Sequence, residues 1–203
     1  MMYTTVTTNL KEGETLSINQ NTLKAIVREI NENGILLLNS TPEMPNITDL
    51  GGDWNLVMLL IEKREIFVSK LYKGKTTYLS REMYYMLKDK IRNTDLNEEE
   101  GRVFNFIESN DNVDTKVLKL FLGYNSKHIN KILLSLQKKL MITVLRRGET
   151  LNKNWSTYYW GTYKQWENTD SNCIRPVFNC DLVLSKLRNI MKDKDIEKIF
   201  HIS

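Results

Sequence analysis

Residues 126–140, SKHINKILLSLQKKL, repeat apolar side chains at helical spacing, and this constrains the fold more than any other stretch. With a step of about 100° per residue, five of them fall in one stripe roughly 100° wide. They are Ile129, Ile132, Leu133, Leu136 and Leu140. Such a stripe has to be buried, so the segment predicts a core helix from Ser126 as its N-cap to about Leu140.

The cations of this helix lie opposite the stripe. Lys127, Lys131 and Lys138 fall within a band of about 40°, with Asn130 and Leu134 beside them. A DNA-recognition helix needs this division, because its inner face packs on a core while its outer face enters the major groove. Lysine can neutralise phosphates and asparagine can read adenine. An ordinary solubilising face is the alternative interpretation.

Positive charge is concentrated around the same helix. Residues 115–155 contain nine Lys and Arg and one acid, Glu149, a net charge of +8. Because the whole chain carries +4, the remainder carries −4. A basic segment in an otherwise slightly acidic chain indicates a polyanionic partner.

The order of elements around this helix predicts a winged helix-turn-helix. Asn97 begins a capping box and Asp114 and Gly123 bound a second helix, while Asn112-Val113 suggests a minimal strand. Two strands after the helix form the wing, whose tip carries Arg146-Arg147-Gly148. The predicted ranges are helices to Ser109, Thr115–Leu122 and Ser126–Leu140, strands Met141–Arg146 and Trp155–Trp160, and a loop Arg147–Asn154.

The N-terminal part predicts a related unit with a basic hairpin, read as a degenerate second winged module. Lys70, Lys73 and Lys75 form a possible second basic patch at the hairpin. The predicted elements are helices Asn19–Asn33, Trp54–Glu62 capped by Asp53, and one from Ser80 to Ile91, with strands Ile35–Leu38, Ile66–Leu71 and Thr76–Leu79.

The predicted fold class is therefore α+β and mainly helical, with two tandem winged-helix-like modules and C-terminal helices. Asp181 to Phe200 reads as one or two amphipathic helices built on Leu182, Leu184 and further apolar residues. The predicted organisation is a tail over 1–18, modules over 19–92 and 96–168, and a helical segment over 175–203.

Several function classes find no support in the sequence. Two cysteines, Cys173 and Cys180, and two histidines, His128 and His201, give no zinc spacing, so no metal is expected. No phosphate-binding glycine loop appears, and no cofactor is expected. No apolar run reaches the roughly 18 residues of a membrane span, and no secretory signal begins the chain, so a cytoplasmic protein without a membrane partner is expected.

Several longer stretches carry a family resemblance. IFVSKLYKGKTTYLSREMYYML (66–87), LNEEEGRVFNFI (96–107), ILLSLQKKLMITV (132–144) and WSTYYWGTYKQW (155–166) resemble the AlkZ-like winged-helix family. That family includes bacterial DNA glycosylases acting on alkylated or crosslinked bases, and the resemblance implies tandem winged helices and DNA binding. Glycosylase members carry a Gln-apolar-Gln or Gln-apolar-Asp triplet, but the corresponding stretch here, 35–46, contains no glutamine. No catalytic residue is therefore assigned.

Three functions follow as hypotheses. The first is a DNA-binding protein, regulatory or accessory to repair, contacting duplex DNA through Lys116, Lys127, Asn130, Lys131, Lys138, Arg146, Arg147 and Lys153. The second is a glycosylase whose catalytic group has moved, for example to Asp49 or Asp53. The third is an interaction module, with a homodimer formed through the C-terminal helices. The aromatic run from Trp155 to Trp166 is either core or a base-stacking surface.

Overall fold

The computed structural model describes residues 19–92, 95–152, 155–168 and 179–200. These residues form a mainly helical α+β fold with two small antiparallel sheets. The predicted tail over 1–18, together with Lys153, Cys173 and His201, lies outside the described residues. The elements are α1 Gln20–Asn33, β1 Ile35–Leu37, α2 Trp54–Glu62, β2 Ile66–Ser69, β3 Thr77–Ser80, α3 Arg81–Ile91, α4 Glu98–Ser109, α5 Thr115–Leu122, α6 Ser126–Lys138, β4 Ile142–Asn152, β5 Trp155–Thr162, α7 Tyr163–Asn168, α8 Cys180–Arg188 and α9 Asp193–Phe200.

The first sheet separates two cores. Its strand order is β1-β3-β2, and every residue of the three strands is buried. Because successive strand residues point to opposite faces, Leu36 and Tyr78 join one core while Ile35 and Leu79 join the other. The first core contains residues of α1, α2, α4, α5, α6, β4 and β5, and the second contains residues of α3, α8 and α9.

Local signals predicted most of the helix starts. Asn19, Asp53, Ser80 and Asp114 each accept a hydrogen bond from a backbone N–H in the first turn of their helix. Asn97 and Glu100 form the predicted capping box at the start of α4. These side chains satisfy donors that the helix itself leaves free, which is why short polar residues mark its beginning.

The N-cap of α6 is Asn125, so the prediction of Ser126 was wrong. Asn125 Oδ1 accepts from the backbone N–H of His128 at 2.9 Å, and its backbone is extended (φ −72°, ψ 165°). The helix also ends at Lys138, because Leu140 has a left-handed backbone with φ 54°. Asn125 and Ser126 are both good N-cap residues, and the sequence alone does not decide between them.

This difference is testable. Replacing Asn125 by Ala should lower the free energy of unfolding by about 1 kcal/mol, because the N–H of His128 loses its acceptor. Replacing Ser126 by Ala is the matched control and should change it little. Chemical denaturation followed by circular dichroism compares the two, and a larger loss for Ser126→Ala would contradict the assignment.

The second sheet differs from the predicted wing. β4 continues to Asn152 through the segment predicted as a loop, and pairs with β5 through register shifts at three places. Gly148 makes this possible, since a Cβ there would lie 2.4 Å from Thr157 Oγ1. Gly148 therefore allows β5 to approach β4 closely at a point where the pairing of the two strands is irregular. β5 also extends two residues beyond the predicted Trp160.

Smaller differences concern single residues. Val113 is not in a strand, although its carbonyl accepts the N–H of Trp160 at 2.8 Å. On α4 the spacing of Val103, Phe106 and Ile107 predicts that these three side chains are buried, but the buried ring is Phe104. Phe106 is only partly buried, and its ring lies 5.7 Å from that of Phe121. In the C-terminal segment, two helices form as predicted, but Leu182 is exposed.

Candidate nucleic-acid interface

The inner face of α6 is buried as predicted. Ile129 and Leu136 are completely buried, and Ile132 and Leu133 are at most 4% exposed. Leu140, just beyond the helix, is also buried, in the second core. The apolar stripe therefore fixes which side of α6 faces outward.

Two polar contacts of α4 carboxylates further position α6 against α4. Glu100 is only 3% exposed and accepts hydrogen bonds from Ser135 Oγ at 2.5 Å and Lys139 Nζ at 2.8 Å. Burial alone would raise the pKa of Glu100, but the bonds from Lys139, Ser135 and the backbone of Asn97 lower it overall. His128 Nε2 lies 2.7 Å from Glu99 at the other end of the helix.

The N-terminal half of the outer face is open. Lys127, Asn130 and Lys131 are exposed, and no carboxylate of the described residues lies within ion-pair distance of either lysine. These three side chains leave α6 on consecutive turns of one face. They give a compact surface with two uncompensated positive charges and one amide.

The C-terminal half of the same face is partly covered. A Cβ at Gly74, in the turn between β2 and β3, would lie 3.9 Å from both Leu134 Cδ1 and Lys138 Cε. Lys138 is partly buried there and lines a cavity shared with that turn and α9. The band of three lysines is therefore divided, with Lys138 set apart from Lys127 and Lys131.

The lysines of the possible second patch have different surroundings. Lys70 is half-buried, donates to Thr76 Oγ1 at 2.7 Å, and has its pKa lowered by burial. Lys73 lies 2.9 Å from Glu43 and 3.0 Å from Asp195, and its bonds to Tyr72, Glu43 and Asp195 raise its pKa. Lys75 is exposed, at the end of the turn.

The arginine pair lies within β4 and not at the tip of a turn. Arg147 is partly buried, and its Nη2 donates to Asn55 Oδ1 of α2 at 2.9 Å. Arg146 is exposed, bonds to Asn112, and stands 5.1 Å from the centre of the Tyr159 ring. On α5, exposed Lys116 pairs with Glu149 at 3.1 Å. These contacts join α2, α5 and the second sheet.

Sequence reasoning missed a charged cluster around Glu167. Its carboxylate accepts from Tyr84 Oη at 2.5 Å, Lys88 Nζ at 3.2 Å and Arg92 Nη2 at 3.3 Å. Burial would raise the pKa of Glu167, but the Tyr84 bond and the charges of Arg92 and Lys88 lower it overall. The cluster ties α7 to α3. Its members lie about eighty residues apart in sequence, so no local pattern marks it.

Asp49 and Asp53, the acids considered for catalysis, have structural partners, and so does the nearby Glu43. Asp53 caps α2, and Asp49 Oδ2 accepts from Asn46 Nδ2 at 2.7 Å. Glu43 accepts from Tyr72 and Lys73, and the hydrogen bond with Lys73 is the main cause that lowers its pKa. Gln165, in the triplet Gln165-Trp166-Glu167, accepts from the backbone of Thr162 at 2.8 Å.

Other kinds of site find few candidates in the structure. Within the described ranges, no group of three or more His, Cys, Asp and Glu residues is placed to hold a metal ion. No helix over those ranges combines the length and apolar character that crossing a membrane requires. From β5 into α7, Trp160 and Trp166 are buried, so at least these two aromatic rings belong to the core.

Comparison with known proteins gives one match. A family described as AlkZ related matches residues 20–202 of the chain. No curated protein and no solved structure matches the chain.

Proposed function

Because the chain belongs to the AlkZ-related family, we propose that it is a DNA-binding protein with a role related to DNA repair, regulatory or accessory. The proposed contact with duplex DNA is made by the N-terminal half of α6. The observation that carries this proposal is the open face of Lys127, Asn130 and Lys131 opposite a fully buried stripe. Residues near the start of a recognition helix are those that usually reach base edges.

We further propose that residues 96–168 form a winged helix-turn-helix. The order of elements, α4, α5 and α6 followed by the β4–β5 hairpin, supports this proposal. The hydrogen bond that links Val113 to Trp160 supports it as well. Residues 19–92 are proposed as a degenerate second module, since they combine helices with a three-stranded sheet. The helix directly before the β2–β3 hairpin, α2, is buried from Leu56 to Ile61, unlike the open outer face of α6. Residues 175–203 are proposed as a separate C-terminal segment. A homodimer formed through the helices of this segment is the alternative to DNA binding.

Electrostatics supports the proposed contact. The net +8 over residues 115–155 attracts a polyanion at long range, and counterion release then makes binding depend steeply on salt. Lys116, Lys138, Arg146 and Arg147 are proposed as flanking phosphate contacts, with Lys75 as an additional one. To contact a phosphate, Arg147 must give up its bond to Asn55 and Lys116 its pair with Glu149. We therefore expect these two residues to contribute less to DNA affinity than Lys127 and Lys131.

The test is binding of a fluorescent duplex over a range of salt concentrations. The Lys127→Ala, Lys131→Ala double variant should flatten the slope of log K against log salt by about 2, because each phosphate contact contributes roughly 0.9. Lys24→Ala, which removes one positive charge from an exposed position of α1, is the control and should leave the slope within error. Affinity that depends neither on salt nor on the double variant would exclude the proposal.

Glycosylase activity is the second function that the family suggests. The acids Glu43, Asp49 and Asp53 already have intramolecular partners, so we propose no catalytic residue. An assay for abasic sites on alkylated or crosslinked duplexes separates the two functions. If an amount of protein equal to that of the duplex releases bases, the protein is a glycosylase. Binding without release supports the regulatory or accessory role.

A further inference from the structure

His128 lies at the edge of the open face of α6, and its ring is held by α4. Lys127 precedes it, and Lys131 is its neighbour on the helix surface, because positions three apart lie side by side. The ring nitrogen Nε2 lies 2.7 Å from Glu99 Oε1, and the ring centre lies 4.8 Å from that of Tyr124. The side chain is 37% exposed, so the ring is held in place without being enclosed.

The contact with Glu99 determines which nitrogen of the neutral ring carries the proton. An ionised carboxylate only accepts hydrogen bonds, so the proton is on Nε2, and Nδ1 is then an acceptor. Among the residues that the structure describes, Nδ1 has no hydrogen-bond partner. In this tautomer His128 cannot donate to a phosphate oxygen. Protonation adds a second N–H, on Nδ1, and places a positive charge beside Lys131.

The ring of His128 lies among charges of both signs. Arg102 stands 5.9 Å from the centre of the Tyr124 ring, and Lys119 reaches the start of α6 by donating to Ser126 Oγ at 3.3 Å. The charged groups around the ring are Glu98, Glu99 and Arg102 of α4, Lys119 of α5, and Lys127 and Lys131 of α6. A phosphate brought close to the ring would add a negative charge, which favours the imidazolium over the neutral ring.

We propose that His128 is a phosphate contact that forms when its ring is protonated. In the complex, Nε2–H remains bonded to Glu99 and Nδ1–H donates to a phosphate oxygen of duplex DNA, next to the contacts of Lys127 and Lys131. The imidazolium then lies between two anions. Its second proton comes from the solvent, so binding takes up at most one proton per chain at this residue. The inference rests on the proposed function, because it adds a contact and its regulation by pH to the same face of α6.

The first experiment measures the affinity for a fluorescent duplex at pH 6 and at pH 8, at constant ionic strength. Histidine is the side chain that ordinarily changes charge in this interval, and the chain contains two, His128 and His201. We expect the parent chain to bind roughly three- to ten-fold more tightly at pH 6. His128→Gln keeps a donor for Glu99 but does not titrate, so its affinity should be nearly the same at both pH values. His201→Gln is the matched control and should keep the parental ratio.

Calorimetry measures the proton uptake itself. Titrating the duplex into the full chain near pH 7, in two buffers that differ in ionisation enthalpy, gives the number of protons bound with the DNA. The parent should take up a fraction of one proton, and His128→Gln close to none. A thermal melt at both pH values shows that the variant is folded. A purely structural role of His128 would change its stability but not the proton uptake.

The outcomes separate this inference from the proposed function. Salt-dependent binding that is equally tight at both pH values overturns the role of His128 and leaves DNA binding through Lys127 and Lys131 standing. A pH dependence that persists in His128→Gln, or that disappears in His201→Gln, overturns it as well. No binding of the duplex at either pH overturns the proposed function, and the contact of His128 with it.

Discussion

Replacing Glu100 by Ala is expected to lower the free energy of unfolding by about 3 kcal/mol, one of the two largest losses we predict from a single change. Three donors lose their acceptor together: Ser135 Oγ, Lys139 Nζ and the backbone N–H of Asn97. Glu100 is nearly buried and Lys139 only 17% exposed, so water replaces these bonds incompletely. The measurement is chemical denaturation of the variant beside the parent chain.

Glu99→Ala is the matched control for that loss. It removes the same charge from the neighbouring position, but Glu99 is 48% exposed, and within the part of the chain that the structure describes its one partner at ion-pair distance is His128. Exposed pairs contribute little, so its stability should stay close to that of the parent. Similar losses for the two variants would show that Glu100 contributes only as an ordinary surface charge. Since Glu100 joins α4 to α6, its replacement should also weaken duplex binding under the proposed function.

Glu167→Ala is expected to cost about 3 kcal/mol as well, for a different reason. Lys88 and Arg92 are 15% and 13% exposed, and both lose their carboxylate partner, as does the hydroxyl of Tyr84. Charges left partly buried without a counter-charge are the costly outcome. Glu108→Ala serves as the control, because it removes a more exposed pair between Glu108 of α4 and Lys164 of α7, whose side chains are 31% and 51% exposed.

The same cluster gives stability a defined dependence on pH. The pKa of Glu167 is lowered in the folded chain, as is that of Glu100, relative to the unfolded value of about 4.3. At acidic pH the folded state therefore binds fewer protons at these carboxylates than the unfolded state does. The stability these carboxylates contribute is complete at neutral pH and is lost as the pH falls below about 4.3 through their folded pKa values. Glu167→Gln should therefore lose less stability than the parent between pH 7 and pH 3, and equal losses would contradict the assignment.

Local patterns were sufficient to predict most elements of this fold, although the short helix α7 was not among them. The apolar spacing of α6, the cap at Asp53 and the box at Asn97 each depend on residues a few positions apart, and each is observed. Where two neighbouring residues could do the same task, as Asn125 and Ser126 could, the sequence left the choice open. The extension of β4 past Arg147 depends instead on its pairing with β5, which a turn-like Gly148 concealed.

The surroundings of the candidate site could not be predicted in this way. The partners of Lys73 lie thirty residues before it and more than a hundred after it, at Glu43 and Asp195. Arg147 bonds to Asn55, ninety-two positions away. A count of positive residues cannot tell which of them the folded chain already neutralises, because that depends on contacts between elements distant in sequence.

The turn at Gly74, seated against Leu134 and Lys138, limits how far α6 could be inserted into a groove. From Lys127 to Lys131 the helix rises only about 6 Å, at 1.5 Å per residue, and one base pair occupies about 3.4 Å of duplex. Under the proposed function, an open face of this length follows about two base pairs of duplex, which is too few to single out one site in a genome. The protein would then distinguish its targets by the condition of the DNA, such as damage or distortion, more than by the order of its bases.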